Sequence, residues 1–267
     1  MVKKIFSAFF FLLFILLPLF SDEGSLVFLP EGLELPRALS DEHDSDREVR
    51  TLSAFTLCYR ESYELAEWVA YELTREELAK NVSRSNSFRP DAGISTGSAE
   101  LDDYRNSGYD RGHLAPSGDM LFSAQANADC FLLSNITPQN ASFNSGIWNE
   151  LENQVRRWAE QYGRVYVITG PVLEKPAEEY ESIGKNKVAV PEYFYKIVLT
   201  PLYADEEDAA SPEDCAKIIV SAYIIPNRKC GEKFWSYRVS ISEVERRTGL
   251  DFFSLLDAQP YAREFLN

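Results

Sequence analysis

Three apolar runs in the second half of this chain, "RVYVITGPVL" (164–173), "YFYKIVLTPLY" (193–203) and "AKIIVSAYIIP" (216–226), constrain its fold more than any other feature. Each is rich in Val, Ile, Tyr or Phe, has the length of a strand, and ends at Gly, Pro or charged residues, so each predicts a β-strand. Between the last two lies acidic "ADEEDAASPED", a solvated loop. Earlier, "TLSAFTLCYR" (51–60) alternates as a strand, "WVAYEL" (68–73) is a second, and Thr74 three residues before Glu77 in "TREELAK" resembles a helix start. A polar, turn-rich loop is expected from Asn81 to Tyr109, followed by a strand-like run in "NADCFLLSNITPQN" (127–140). "IWNELENQVRRWAEQYG" predicts a helix with Ile147, Leu151 and Val155 inward and Gly163 as its stop, and "SISEVERRTGLDFFSLL" a closing helix with a short apolar segment.

With 45% hydrophobic and 26% charged residues the chain has enough apolar material for a packed core. One domain over 51–267 is expected, preceded by an acidic extended segment over 22–50 in which His43 is a solvated linker residue. The net charge of −15 argues against a protein that coats nucleic acid through a broad basic face. A small, locally basic site remains open, because Arg84, Arg89, Arg105, Arg111, Arg156 and Arg157 fall in one half of the chain and the acidic runs lie elsewhere.

Lys3 and Lys4, the apolar run from Ile5 to Phe20 and then "SDEGS" have the order of an export signal. The run is shorter than the roughly 20 residues of a membrane span, so residues 1–21 are expected to be a signal peptide on an exported, secreted or periplasmic protein. Retention of the segment as an anchor is the alternative. Cys58, Cys130, Cys215 and Cys230 are an even set that fits an oxidising compartment. Cys215 and Cys230 flank a strand-like run and are the pairing to expect, against the alternative of buried thiols.

One of only two histidines, His113, stands in "DRGHLAP". Downstream, Asn144, Trp148 and Glu152 stand at i, i+4 and i+8, within about 80° on one helix face. The amide and carboxylate suit a hydrated, oxygen-preferring cation, with Trp148 packing beneath them. A neutral imidazole can take a proton from an attacking water, and Arg111 and Arg84 can complement phosphate charge. Together these point to a phosphodiesterase.

"DRGHLAP", "SNITPQNASFNSGIWNELE", "VYVITGP", "VAVPEYFYKIVL" and "RRTGLDFF", in this order from about Leu33 to the C-terminus, resemble the DNA/RNA non-specific endonuclease family, the ββα-metal nucleases. The resemblance implies an α+β fold, the ββα-metal nuclease fold, with a central, mostly antiparallel sheet flanked by helices. It implies His113 as general base, Asn144 as the direct protein ligand of Mg²⁺, Glu152 acting on that ion through water, Arg111 near the scissile phosphate and Asp110 behind it. Arg84 corresponds to an upstream catalytic arginine, with Arg89 as rival, and Asn135 to a substrate-side asparagine in a supporting role. Mn²⁺ can replace Mg²⁺ at such a site. The implied activity is sugar-non-specific cleavage to 5′-phosphate and 3′-hydroxyl ends. The implied partners are DNA and RNA, with a protein inhibitor as a further one and no lasting membrane partner unless the N-terminal segment is retained. Two readings compete with it: a phosphodiesterase for short oligonucleotides, and a non-catalytic nuclease-like protein that binds nucleic acid.

Overall fold

The computed structural model describes residues 27–39, 44–203 and 214–257. The signal-like stretch over 1–21, His43 and most of the acidic loop after Tyr203 lie outside them. The strands that organise the molecule are β1 (Arg47–Thr51), β2 (Thr56–Arg60), β3 (Leu65–Thr74), β4 (Asp110–His113), β5 (Ile136–Gln139), β6 (Arg164–Pro171), β7 (Tyr193–Leu202), β8 (Lys217–Pro226) and β9 (Arg238–Val239). Seven of them form one sheet in the order β9-β8-β7-β6-β3-β2-β1, with every neighbouring pair antiparallel. The other two, β4 and β5, pair as a separate ribbon. The helices are α1 (Leu101–Tyr104), α2 (Ala124–Asp129), α3 (Asn149–Tyr162) and α4 (Ile241–Thr248).

Side-chain alternation gives the sheet two buried faces. In β7, Phe194 and Val198 join the core under α3, whereas Tyr195, Ile197 and Leu199 join the core under α4. α3 contributes Leu151, Val155 and Ala159 to the first face, and Gly163 ends it at φ 88°. α4 contributes Ile241 and Val244 to the second; Ser240 caps its start and Gly249 ends it in the left-handed region. The expected architecture, a central antiparallel sheet flanked by helices, is the one observed.

Several local expectations change. "TLSAFTLCYR" is two strands, because the Leu52 N–H donates to the Phe55 carbonyl at 2.8 Å and turns the chain back. The sheet starts at Arg47, before the expected boundary, and Val27 and Leu33 are buried, so the described part of the N-terminal segment packs into the body. In "NADCFLLSNITPQN" residues up to Asp129 belong to α2, whose N-cap Ser123 accepts from Ala126 N, and only Ile136–Gln139 is extended. In "TREELAK" Thr74 and Glu77 do exchange backbone-to-side-chain hydrogen bonds at 2.9 and 3.3 Å. A single 3-10 turn over Glu76–Leu78 follows, since none of its residues is buried and nothing rewards a longer helix.

The expected Cys215–Cys230 disulfide does not form, and none of the four cysteines is in one. Cys215 belongs to the core on the α4 face, while Cys230 packs against the core on the opposite face. The ten-residue strand β8 runs between them, about 30 Å of extended chain. A disulfide spans less than about 7 Å between Cα atoms. Among the described residues, no helix is long and apolar enough to cross a membrane.

Candidate active site

The ribbon β4–β5 and the N-terminal end of α3 carry the site. Asp110 pairs with Gln139, Gly112 with Thr137 and His113 with Ile136. Gly112 admits no side chain: a Cβ there would lie 2.1 Å from Gln139, whose buried side chain fills the space. His113, 8% exposed, stands edge-on to Phe131 at 4.9 Å and tilted against Phe88 at 5.4 Å. Its Nε2 is buried without a hydrogen-bond partner. Burial foremost, and then the Arg84 and Arg111 guanidiniums, push the imidazole down to about 3, so the ring is neutral at physiological pH. A neutral ring is the form that can accept a proton.

Asn144 and Glu152 reach the site from the other side. The chain from Phe143 to Trp148 is a π-type turn with non-helical backbone at Gly146, and α3 starts only at Asn149. The pair therefore does not share one regular helix, as simple spacing assumes, yet both line the same cleft as His113. Trp148 is fully buried, 5.1 Å from Phe143 and 5.8 Å from Phe194, in the packing role expected of it.

The cleft encloses about 420 Å³, and Arg84, Arg111 and Arg156 line it together with His113, Asn144 and Glu152. Arg84 lies 4.9 Å over the Phe131 ring and donates from Nε to Asn86 at 2.8 Å. Arg111 lies 4.2 Å over Phe88. The rival Arg89 donates to the Ala128 carbonyl at 2.8 Å and is not among the cleft residues. Asp110 accepts from Asn144 Nδ2 at 3.0 Å. That bond fixes the Asn144 amide and leaves its Oδ1 as the atom available to a cation.

Asn135 is the one candidate the structure withdraws from the substrate side. It is fully buried, its Nδ2 donating to Ala115 O at 3.0 Å and Cys130 O at 2.8 Å and its Oδ1 accepting from Ala115 N at 2.9 Å. All its polar atoms are engaged in clamping the turn after His113, so it shapes the loop rather than touching a ligand.

Beneath the cleft lies a charged layer of which the sequence marked only Arg156, as one of a group of arginines. Asp119, fully buried, accepts from Tyr71 OH at 2.9 Å and from Arg156 Nη1 at 2.5 Å. Lys196, in β7 on the α3 side, is fully buried with its ammonium 4.6 Å from the centre of the Trp148 ring and no hydrogen-bond partner. Burial raises the Glu152 carboxyl, with the Asp119 charge acting in the same direction and Lys196 and Arg156 opposing it. Burial likewise holds the Lys196 ammonium below its ordinary value, against the pull of Glu152 and Asp119. Signals for two of these residues were present. Arg156 continues the spacing of 144, 148 and 152, and Lys196 interrupts the apolar run "YFYKIVL". Asp119 in "SGDM" carried no such mark.

The donor set fits a hard divalent cation that keeps most of its waters: one amide oxygen held in place by Asp110, and one carboxylate in the same cleft. Among the described residues there is no group of three or more His, Cys, Asp or Glu side chains able to hold an ion by themselves.

The sequence profile of the DNA/RNA non-specific endonuclease family matches residues 39–259. A zebrafish (Danio rerio) relative, the mitochondrial nuclease EXOG, is 35% identical over 227 residues, covering 81% of this chain and 64% of its own length. Mitochondrial endonuclease G of Caenorhabditis elegans is 35% identical over 230 residues, covering 81% of this chain and 71% of its own. A chain of the crystallised EndoG/EndoGI complex, solved for the mechanism of EndoG inhibition, superposes with a TM-score of 0.69 at 34% identity, covering 82% of this chain and 88% of that one. This chain thus spans under two thirds of the EXOG relative's length. The mitochondrial names of these relatives overturn the expectation of an exported, secreted or periplasmic protein. With the profile matched over most of its length, the chain belongs to the DNA/RNA non-specific endonuclease family.

Proposed function

We propose that this protein is a metal-dependent, sugar-non-specific endonuclease that hydrolyses phosphodiester bonds of DNA and RNA to 5′-phosphate and 3′-hydroxyl ends, with Mg²⁺ as its ion and Mn²⁺ as a substitute. The observation that carries this reading is the meeting of a neutral histidine, three arginines, an oriented amide and a carboxylate in one cleft. Names of relatives in the family include nuclease and endonuclease G, which supports the same reaction class.

The geometry of the cleft supports the following division of roles. The His113 imidazole, neutral and held by Phe88 and Phe131, takes the proton of the attacking water. Arg84, Arg111 and Arg156 hold the phosphate oxygens and oppose the charge that builds on them. Asn144, through its Oδ1, and Glu152, through water, are the residues that would hold the cation, while Asp110 keeps the amide from turning. When bound, the cation supplies charge neutralisation at the phosphate and its leaving oxygen. Asp119 holds Arg156 in place from below. A protein inhibitor belongs with DNA and RNA among the proposed partners, since a relative was crystallised in an inhibited complex.

The test is cleavage of a supercoiled plasmid and of a structured RNA with Mg²⁺ or with EDTA, beside a His113→Ala variant. Loss of about 10²-fold or more in the variant, together with cutting of both substrates only when the metal is present, is expected. A folded wild-type protein that cuts neither substrate at any salt would falsify the proposal.

A further inference from the structure

A second depression, about 570 Å³, opens beside the catalytic cleft and shares Arg111 and Asn144 with it. Its far wall comes from the segment before the ribbon, through Leu101, Tyr104, Arg105 and Tyr109, none of which the proposed reaction uses. We infer that this depression is a nucleotide subsite, which receives the base and sugar next to the scissile phosphate and the phosphate beyond them. The inference rests on the nuclease reading for the position of the scissile phosphate, but not on turnover.

The wall has the chemistry that a nucleotide requires. The partly exposed Tyr109 ring and the Leu101 side chain offer apolar surface on which any base can stack, with buried Tyr104 as the floor beneath them, and the exposed Arg105 guanidinium meets the next phosphate. Leu101, on a four-residue helix, is 41% exposed, one of seven large apolar side chains that face solvent among the described residues. Arg105 is 70% exposed at its side chain and, among the described residues, pairs with Asp102, itself 63% exposed, a contact weak enough for a phosphate to replace.

The wall is also built to hold its shape. Buried Asp103 accepts from the backbone of Glu100 at 2.7 Å and of Asn186 at 3.1 Å, and from Asn186 Nδ2 at 2.8 Å, which fastens α1 to a distant loop. Tyr104 OH donates to Ile136 O at 3.1 Å, tying α1 to the catalytic ribbon. Tyr109 OH donates to Glu181 at 3.0 Å. Between this wall and the catalytic cleft stand Arg111 and Asn144, so a chain passing from one depression to the other crosses the proposed scissile position.

The experiment uses the full chain. Binding of a fluorescent single-stranded dodecanucleotide is measured in a His113→Ala background, with and without Leu101→Glu or Arg105→Ala. Both positions are exposed, and thermal melting checks the fold. Each variant is expected to weaken binding by about tenfold, within the range of one lost base stack. In the His113-containing protein, the same changes should raise KM for the dodecanucleotide by a similar factor and leave turnover of bis(p-nitrophenyl) phosphate, too short to span both depressions, unaltered. Unchanged binding and KM in both variants overturns the subsite. So does an equal loss on the dodecanucleotide and the small diester, which would mean that the wall acts only by supporting Arg111. A wild-type protein that binds the oligonucleotide through these residues but cuts nothing sinks the nuclease reading and leaves the subsite standing.

Discussion

At the scale of single residues, the contact between Asp110 and Asn144 fixes which atom of one amide faces the cleft, as the proposed role in holding a cation requires. An asparagine side chain free to turn offers oxygen and nitrogen about equally, and a carboxylate 3.0 Å from Nδ2 removes that choice. Asp110→Ala is therefore expected to weaken Mn²⁺ binding by about 10- to 100-fold, measured directly by electron paramagnetic resonance, before any effect on turnover is considered. His113 supports a second prediction. An ordinary histidine gains a proton near pH 6.5, whereas burial beside two arginines pushes this one down to about 3. Its C2 proton resonance, separated from that of the other histidine with a His43→Ala variant, should stay flat from pH 8 to pH 5. A midpoint near 6.5 would show the ring to be more hydrated than its surroundings allow. The sign for stability follows. The unfolded chain takes up the proton first, so the contribution of neutral His113 is complete above about pH 6.5 and is lost as pH falls toward 3.

At the scale of elements, α3 and the turn before it locate half of the site, and their anchor is Trp148 rather than any polar group. Its ring lies between Phe143, Phe194 and the Lys196 ammonium. Trp148→Ala removes all of these contacts and should cost about 3–5 kcal/mol in urea denaturation, with cation affinity falling as Asn144 and Glu152 lose their common support. Much of this element was legible. Leu151, Val155 and Gly163 mark the helix and its end, and the four-residue spacing of Asn144, Trp148 and Glu152 picks out two side chains that line the cleft and one that packs in the core. The break at Gly146 was not legible, because periodicity carries no information on a π-type turn. Nor was α2, whose short amphipathic stretch reads equally well as a strand. The split of residues 51–60 into two strands depends on one turn hydrogen bond, and the charged layer under the cleft on contacts between residues far apart in sequence, Asp119 with Tyr71 and Lys196 with Trp148. Spacing along the chain records neither.

At the scale of the whole molecule, an acidic body carries a locally basic cleft. Three arginines line the catalytic depression although the chain as a whole has a net charge of −15. Long-range repulsion from a polyanion is screened within about 10 Å at 0.1 M salt, while contacts inside the cleft are screened less. On long duplex DNA, kcat/KM should rise as monovalent salt goes from about 10 to about 100 mM, whereas a protein with a broad basic face would fall steadily over that range. Stopped-flow or gel-based rates across a salt series at fixed Mg²⁺ decide between the two. Lys196 lies on the α3 side of the sheet, against Trp148, and sits opposite Thr169 in β6 and Tyr223 in β8. Were β7 to shift by a single residue against its neighbours, that ammonium would enter the apolar layer on the other face, which holds Ile168, Ala222 and Ile224, at a cost of several kcal/mol. The buried lysine thus acts as an alignment pin for β7: misaligned pairings are penalised during folding, before there is any site to serve.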